Sequence, residues 1–150
     1  RQRLLGERAT AIGSDLLEEG WLQRIASEIR TETHVLITIE GVFAYFTLDQ
    51  IQLLLEHLHH YFAGRCVLVF DALSSFWAGR SKMHDTLKHM EATFVGGIDS
   101  EADILRLLPQ AQFERKKAVV DLMAEVWWVA HLMQLTKKMR ESTQIFTFRL

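Results

Sequence analysis

The sequence has a single cysteine, almost no net charge and no long apolar run, and each shortage excludes a class of protein. With Cys66 alone a disulfide framework is ruled out, and a zinc site has to draw on other ligands. No apolar run approaches the ~20 residues that span a bilayer. The most apolar stretches, Val35 to Phe46 and Ala124 to Leu135, are broken by Glu40, Glu125 and His131. A net charge of −2 gives no electrostatic reason to expect nucleic acid or an acidic membrane as partner. No secretory signal heads the chain, so a cytoplasmic protein is the expectation. Arg1 stands where a methionine would begin a complete chain, which points to a part of something longer.

What is present is an ordinary globular balance, 49% apolar and 24% charged over 150 residues, the size of one domain. Two segments read as strands: His34–Glu40 and Arg65–Asp71 are short, β-branched and apolar almost throughout. Continuous apolarity suits parallel strands covered on both faces. Between them Thr47 and Gln50 form a capping-box pattern, and Ile51, Leu54, Leu55, Leu58 and Phe62 keep helical spacing up to Gly64. Strand, helix and strand make a βαβ unit.

Upstream, Ala9–Ile12 reads as a further short strand and Trp21–Ile29 as a brief helix. Downstream, Ser74–Met90 reads as helical in part, and Ser100 and Asp103 open a short helix that ends before Pro109. Gln112–Lys116 follows as a strand. Val119, Leu122, Met123, Val126, Trp127, Ala130 and Met133 then give one long helix to about Arg140. Gln144–Leu150 alternates as a strand does.

In open α/β sheets, ligands bind at the carboxyl ends of strands. Asp15, Glu40 and Asp71 stand at such ends, where a carboxylate accepts hydrogen bonds from ribose, amino or ammonium groups. The bland alternative for each is a solvated loop acid. The segments Thr38-Ile-Glu-Gly-Val-Phe-Ala-Tyr-Phe46 and Gly64-Arg-Cys-Val-Leu-Val-Phe-Asp-Ala-Leu-Ser74 sharpen the choice. In this order they resemble the leucine carboxyl methyltransferase-like group of S-adenosylmethionine-dependent enzymes, which includes polyketide-tailoring O-methyltransferases of the tetracenomycin type. Glu40, Gly41, Val42 and Tyr45 match that group's Glu-Gly-Val-x-x-Tyr pattern, and Val69, Phe70 and Asp71 its Val-Phe-Asp. Ile12-Gly-Ser-Asp-Leu16 with Trp21-Leu22 is similar to its Asp-Leu segment, and Phe146-Thr-Phe-Arg-Leu150 to its last strand.

The resemblance implies a partial Rossmann-like class I methyltransferase fold. Its α/β sheet is mostly parallel with a C-terminal antiparallel strand, and residues 1–150 form the C-terminal part of a single methyltransferase domain. It implies S-adenosylmethionine as cofactor, a small-molecule substrate such as a polyketide, and methyl transfer to a carboxylate or hydroxyl oxygen. By the same resemblance, Asp15 would accept from the adenine amino group with the Leu16 backbone beside it, Glu40 would sit against the methionine end, Gly41 would allow close backbone approach, and Tyr45 would face the substrate side. The family's glycine-rich loop is not here, since the eight glycines include no G-x-G. The expectation is therefore that the chain taken alone is inactive and pairs with a second copy through a bare sheet edge around Ala9–Ile12 and His34–Glu40. The alternatives are a non-catalytic Rossmann-like module that pairs with another chain, and half of a nucleotide-binding oxidoreductase.

Other candidates are weaker. His57 and His60 lie one turn apart, with His59 between, but no acid or thiol partner has metal-ligand spacing, so exposed helix histidines and no metal are expected. Trp127 is expected to pack in the core with the last helix and Trp128 to fall outside its stripe. Arg80, Lys82 and His84 read as surface charge rather than substrate contacts. Cys66, inside a strand, reads as a buried, inert thiol.

Overall fold

The computed structural model describes residues 11–77, 94–126, 128, 130–134 and 136–150. In chain order these form α1 (Gly20–Glu28), β1 (Val35–Ile39), a 3₁₀ turn (Phe43–Tyr45), α2 (Leu48–Phe62), β2 (Cys66–Leu73) and a second 3₁₀ turn (Ser75–Trp77). There follow α3 (Glu101–Leu107), β3 (Gln112–Ala118), α4 (Val119–Met123), α5 (Ala130–Met133), α6 (Lys137–Arg140) and β4 (Thr143–Arg149).

The βαβ unit forms as its local signals require. The Thr47 hydroxyl accepts from the Gln50 N–H, and the Gln50 side chain accepts from the Thr47 N–H. The five apolar positions read from the spacing, Ile51, Leu54, Leu55, Leu58 and Phe62, are the buried ones. Gly64 (φ +75) carries the chain out of the helix, and Arg65 donates to the carbonyls of Arg30 and Tyr61, tying the approach to β1 to the end of α2. β1 and β2 then lie parallel, Val35 beside Cys66 and Ile39 beside Phe70.

The sheet order is β1-β2-β4-β3. β4 inserts antiparallel between β2 and β3, which brings Phe70, Phe146 and Phe148 into one stack, with centroids 5.4 Å apart for Phe70–Phe146 and 6.0 Å for Phe70–Phe148. This is the expected mostly parallel strand direction with an antiparallel C-terminal strand. Leu22 of α1, the buried face of α2 and Ile104 of α3 cover the side carrying Cys66, Leu68 and Phe70.

The other side is not covered in the way the apolar strands led us to expect. Exposure alternates along β1, Leu36 is 66% exposed, and Val67, Val69 and Ile145 are half-buried. α4 lies over that side, where Val119 and Leu122 line cavities against Val69 and Ile145.

Two further expectations change. Ala11 and Ile12 are not in a strand, and Ala9 and Thr10 lie outside the described residues; among the described residues β1 is the outermost strand on that side of the sheet. The long helix over 119–140 is broken into α4, α5 and α6. Val126 and Trp128, 88% and 73% exposed, stand in the break, where β-branched and aromatic residues favour helix weakly. Thr136 caps α6 afresh by accepting from the Met139 N–H. Asp121 of α4 then holds the returning chain, its carboxylate accepting from Arg140 at 2.8 Å and from Gln134 at 2.9 Å. Trp127 lies outside the described residues.

Candidate functional site

At the carboxyl end of β1 the chain must leave the sheet without crossing β2. Gly41 makes the turn at φ +66, a left-handed conformation that a side chain strains, although a Cβ there would meet nothing within 4 Å. Its N–H donates to Asp71 Oδ1 at 2.6 Å, so the ends of the two parallel strands are tied by a charge-assisted bond. The 3₁₀ turn that follows packs Phe43 on Phe70, with ring centroids 4.8 Å apart. Asp71 thus gives one carboxylate oxygen to the turn, and its second oxygen has no partner among the described residues.

Glu40 has a different situation. Its carboxylate takes part in none of the hydrogen bonds or ion pairs among the described residues. Together with Thr38 and Ile39, Glu40 lines a cavity on each side of the sheet. On the α2 side, a cavity of about 370 Å³ is closed by Leu16, Trp21 and Val42. On the other side, one of about 400 Å³ runs over Val69, Asp71 and Ile145.

Leu16 and Trp21 reach the first cavity from a turn that Asp15 builds. Asp15 Oδ1 accepts from the Leu17 N–H at 2.9 Å, and the Trp21 indole N–H donates to the Leu16 carbonyl at 3.3 Å. Leu16 and Glu40 are therefore brought together in one cavity, while Asp15 stands exposed beside it with its second carboxylate oxygen unpaired. Tyr45 is 37% exposed, packs on Phe94 at 5.6 Å between centroids, and lines neither cavity.

The spacing of motifs missed Thr38 and Trp21, which line the cavity, and the Gly96–Gly97 pair. A Cβ on Gly96 would lie 2.3 Å from the Phe46 carbonyl oxygen and 2.7 Å from that of Phe43, so this loop locks the turn below the site. Two adjacent glycines were the available signal.

Of the three histidines expected on the helix surface, only His60 is exposed. His57 is half-buried, and its Nε2 lies 3.2 Å from Glu19 Oε1. Tyr61 donates to Glu19 Oε2 at 2.8 Å, and that bond, aided by burial, raises the Tyr61 pKa above its usual value. Glu19 draws His57 and Tyr61 together from α1, a pairing set by tertiary packing. His57 Nδ1 and His59 Nδ1 are buried without partners, while His60 is exposed. No group of three His, Cys, Asp or Glu residues among the described residues could hold a metal ion. Cys66 is buried, and burial pushes its thiol up to about 11. Arg80, Lys82 and His84 lie outside the described residues. No helix among the described residues is long and apolar enough to cross a membrane.

No family model matches the chain, and no curated protein matches it. Among solved structures, an S-adenosylmethionine-dependent methyltransferase from Anabaena variabilis ATCC 29413 aligns with 99% of this chain at a TM-score of 0.57 and 13% sequence identity. The chain spans 63% of that protein's length. At such identity the likeness speaks for architecture: the four-stranded sheet, with its inserted antiparallel strand, is a methyltransferase-like α/β fold.

Proposed function

We propose that this chain is the C-terminal part of an S-adenosylmethionine-dependent methyltransferase domain acting on an oxygen of a small molecule. The observation that carries the reading is the cavity at the carboxyl end of β1, where Leu16 and an unpaired Glu40 meet in a methyltransferase-like sheet. The choice of oxygen, carboxylate or hydroxyl, and of a polyketide-like substrate rests on the sequence resemblance around Glu40-Gly-Val-x-x-Tyr45.

The donor set suits the cofactor. An unpaired carboxylate at Glu40 matches the ammonium of a methionine moiety, and the free oxygen of Asp15 matches an adenine amino group. Leu16, Trp21 and Val42 offer an apolar wall between the two. The cofactor, when bound, supplies an electrophilic methyl on a sulfonium. The chain's own residues have to hold that methyl in line with the attacking oxygen, so positioning dominates. Gly41, fixed by Asp71, leaves the backbone open for close approach, and the sequence resemblance alone gives Tyr45, which lines neither cavity, the substrate side. A carboxylate nucleophile needs no general base.

Calorimetry with S-adenosylmethionine on the protein extended to its natural N-terminus tests the assignment. Asp15→Ala and Glu40→Ala should each weaken binding by about 1–3 kcal/mol, the usual loss for a hydrogen-bonded polar group. Unchanged affinity in both variants would remove the assignment. Methyl transfer from labelled cofactor to aromatic acids and phenols tests the choice of acceptor.

A further inference from the structure

On the side of the sheet away from α2, a third cavity of about 210 Å³ is lined by Val69, Ile145, Thr147, Leu122, Arg115 and Lys117. The two cations come from alternate positions of β3, Arg115 opposite Thr147 and Lys117 opposite Ile145, so both side chains stand on one face. Both are exposed, and no acid among the described residues forms an ion pair with either.

Three acids of the surrounding elements are engaged elsewhere, and Asp71, Glu125 and Glu141 form no ion pair with either cation. Glu114 is held by Arg149, Glu101 by Lys116, and Asp121 by Arg140 and Gln134. Lys117 makes no ion pair or hydrogen bond among the described residues. Arg115 makes one long contact, its Nε donating to Thr147 Oγ1 at 3.5 Å. Thr147 supplies an independent observation. It is 4% exposed, and its hydroxyl, which accepts from Arg115, donates to no group in the hydrogen bonds among the described residues. A buried O–H donor and two unpaired cations around one hollow are the complement of an oxyanion.

The position adds a direction. This cavity shares Val69 and Ile145 with the 400 Å³ cavity that reaches Glu40. Lys117, Ile145 and Asp71 lie in one register row across β3, β4 and β2. With strands ~4.8 Å apart, the backbone of Lys117 is about 10 Å from Asp71 and about 14 Å from the end of β1.

We propose that Arg115, Lys117 and the Thr147 hydroxyl form an oxyanion subsite anchoring the carboxylate or phosphate of an elongated substrate, whose other end reaches the carboxyl edge at Glu40. The oxyanion site stands on its own geometry; its assignment to a substrate rests on the methyltransferase reading.

The test is titration of the chain at low salt with inorganic phosphate and, separately, benzoate, followed by NMR without cofactor. At least one probe should bind and shift the amides of 115–117 and Thr147. Lys117→Ala and Arg115→Ala should each weaken it about 10-fold or more, the loss expected for a charged hydrogen bond. Lys116→Ala, which removes the partner of Glu101, should change it less than about 2-fold. Binding of phosphate alone assigns a phosphorylated ligand, and binding of benzoate a carboxylate. Failure of both probes, or an equal loss in Lys116→Ala, overturns the subsite. Intact probe binding without any methyl transfer in the extended protein strikes the proposed function and leaves the subsite standing.

Discussion

Replacing Gly96 by alanine places a methyl group where the backbone of the Phe43–Phe46 turn already stands. The new carbon would lie 2.3 Å from the Phe46 carbonyl oxygen and 2.7 Å from that of Phe43. Neither neighbour is the end of a flexible side chain, so the loop or the turn has to move. Forcing an extra methyl into a packed site costs about 1–3 kcal/mol. The movement also stretches the bonds from the Val95 and Gly96 N–H groups to the Ala44 carbonyl, 2.9 and 3.3 Å long. Losing the better of these adds about 1 kcal/mol. A total of about 2–4 kcal/mol follows. In urea, with a slope of ~1–3 kcal/mol/M, the unfolding midpoint followed by tryptophan fluorescence should fall by about 1 M or more. Gly13→Ala is the control, since a Cβ there meets nothing within 4 Å and the φ is not left-handed. It should leave the midpoint unchanged or raise it slightly by restricting the unfolded chain. A Gly96→Ala midpoint within about 0.2 M of the parent would refute the close approach and, with it, the anchoring of the turn below Glu40.

Asp103 gives a pH dependence. Burial raises its pKa, but the N–H groups of Ser100 and Asp99, the Ser100 hydroxyl and Arg106 outweigh it and leave the value below 3.8. Its contribution to stability is therefore complete above the unfolded pKa and is lost as pH falls through the lower folded value. Chemical denaturation between pH 6 and about 2 should show a steeper acid loss in the parent than in Asp103→Asn; parallel curves would refute it. Cys66, with its thiol pushed up to about 11, should react with a maleimide at neutral pH only as fast as the chain opens, and denaturant should accelerate the reaction sharply. Rapid labelling of the native protein would show that the thiol is not sealed in β2.

The parts of the fold legible in the sequence were those fixed by neighbours along the chain. The Thr47–Gln50 cap, the five-residue apolar stripe and the Ser100–Asp103 capping pair are local, and each stands where the pattern put it. The segment after β3 misled because its periodicity, counted through Val126 and Trp128, competes with Asp121, whose bonds to Gln134 and Arg140 fold the chain back on itself. Those partners are 13 and 19 residues away, beyond the reach of a periodicity argument. At the site, the strand-end position picked out Glu40 and the family resemblance Leu16, which share a cavity, but neither gave a sign that Asp71 binds the Gly41 N–H or that Trp21 and Thr38 complete the wall. The fate of a carboxylate at a strand end depends on which amide the adjacent strand presents.

The place of β4 has a consequence for biosynthesis. β2 ends at Leu73 and its antiparallel neighbour begins at Thr143, while β3 has been made in between. At ~5–20 residues per second, the ribosome takes about 4–14 s to cover that interval. Once β3 is complete at Ala118, the nascent chain carries β2 and β3 with unmatched backbone groups flanking a gap that β4 later fills. Aggregation during synthesis should therefore fall on that interval, when Val67–Phe70 is already outside the ribosome and nothing yet occupies the slot.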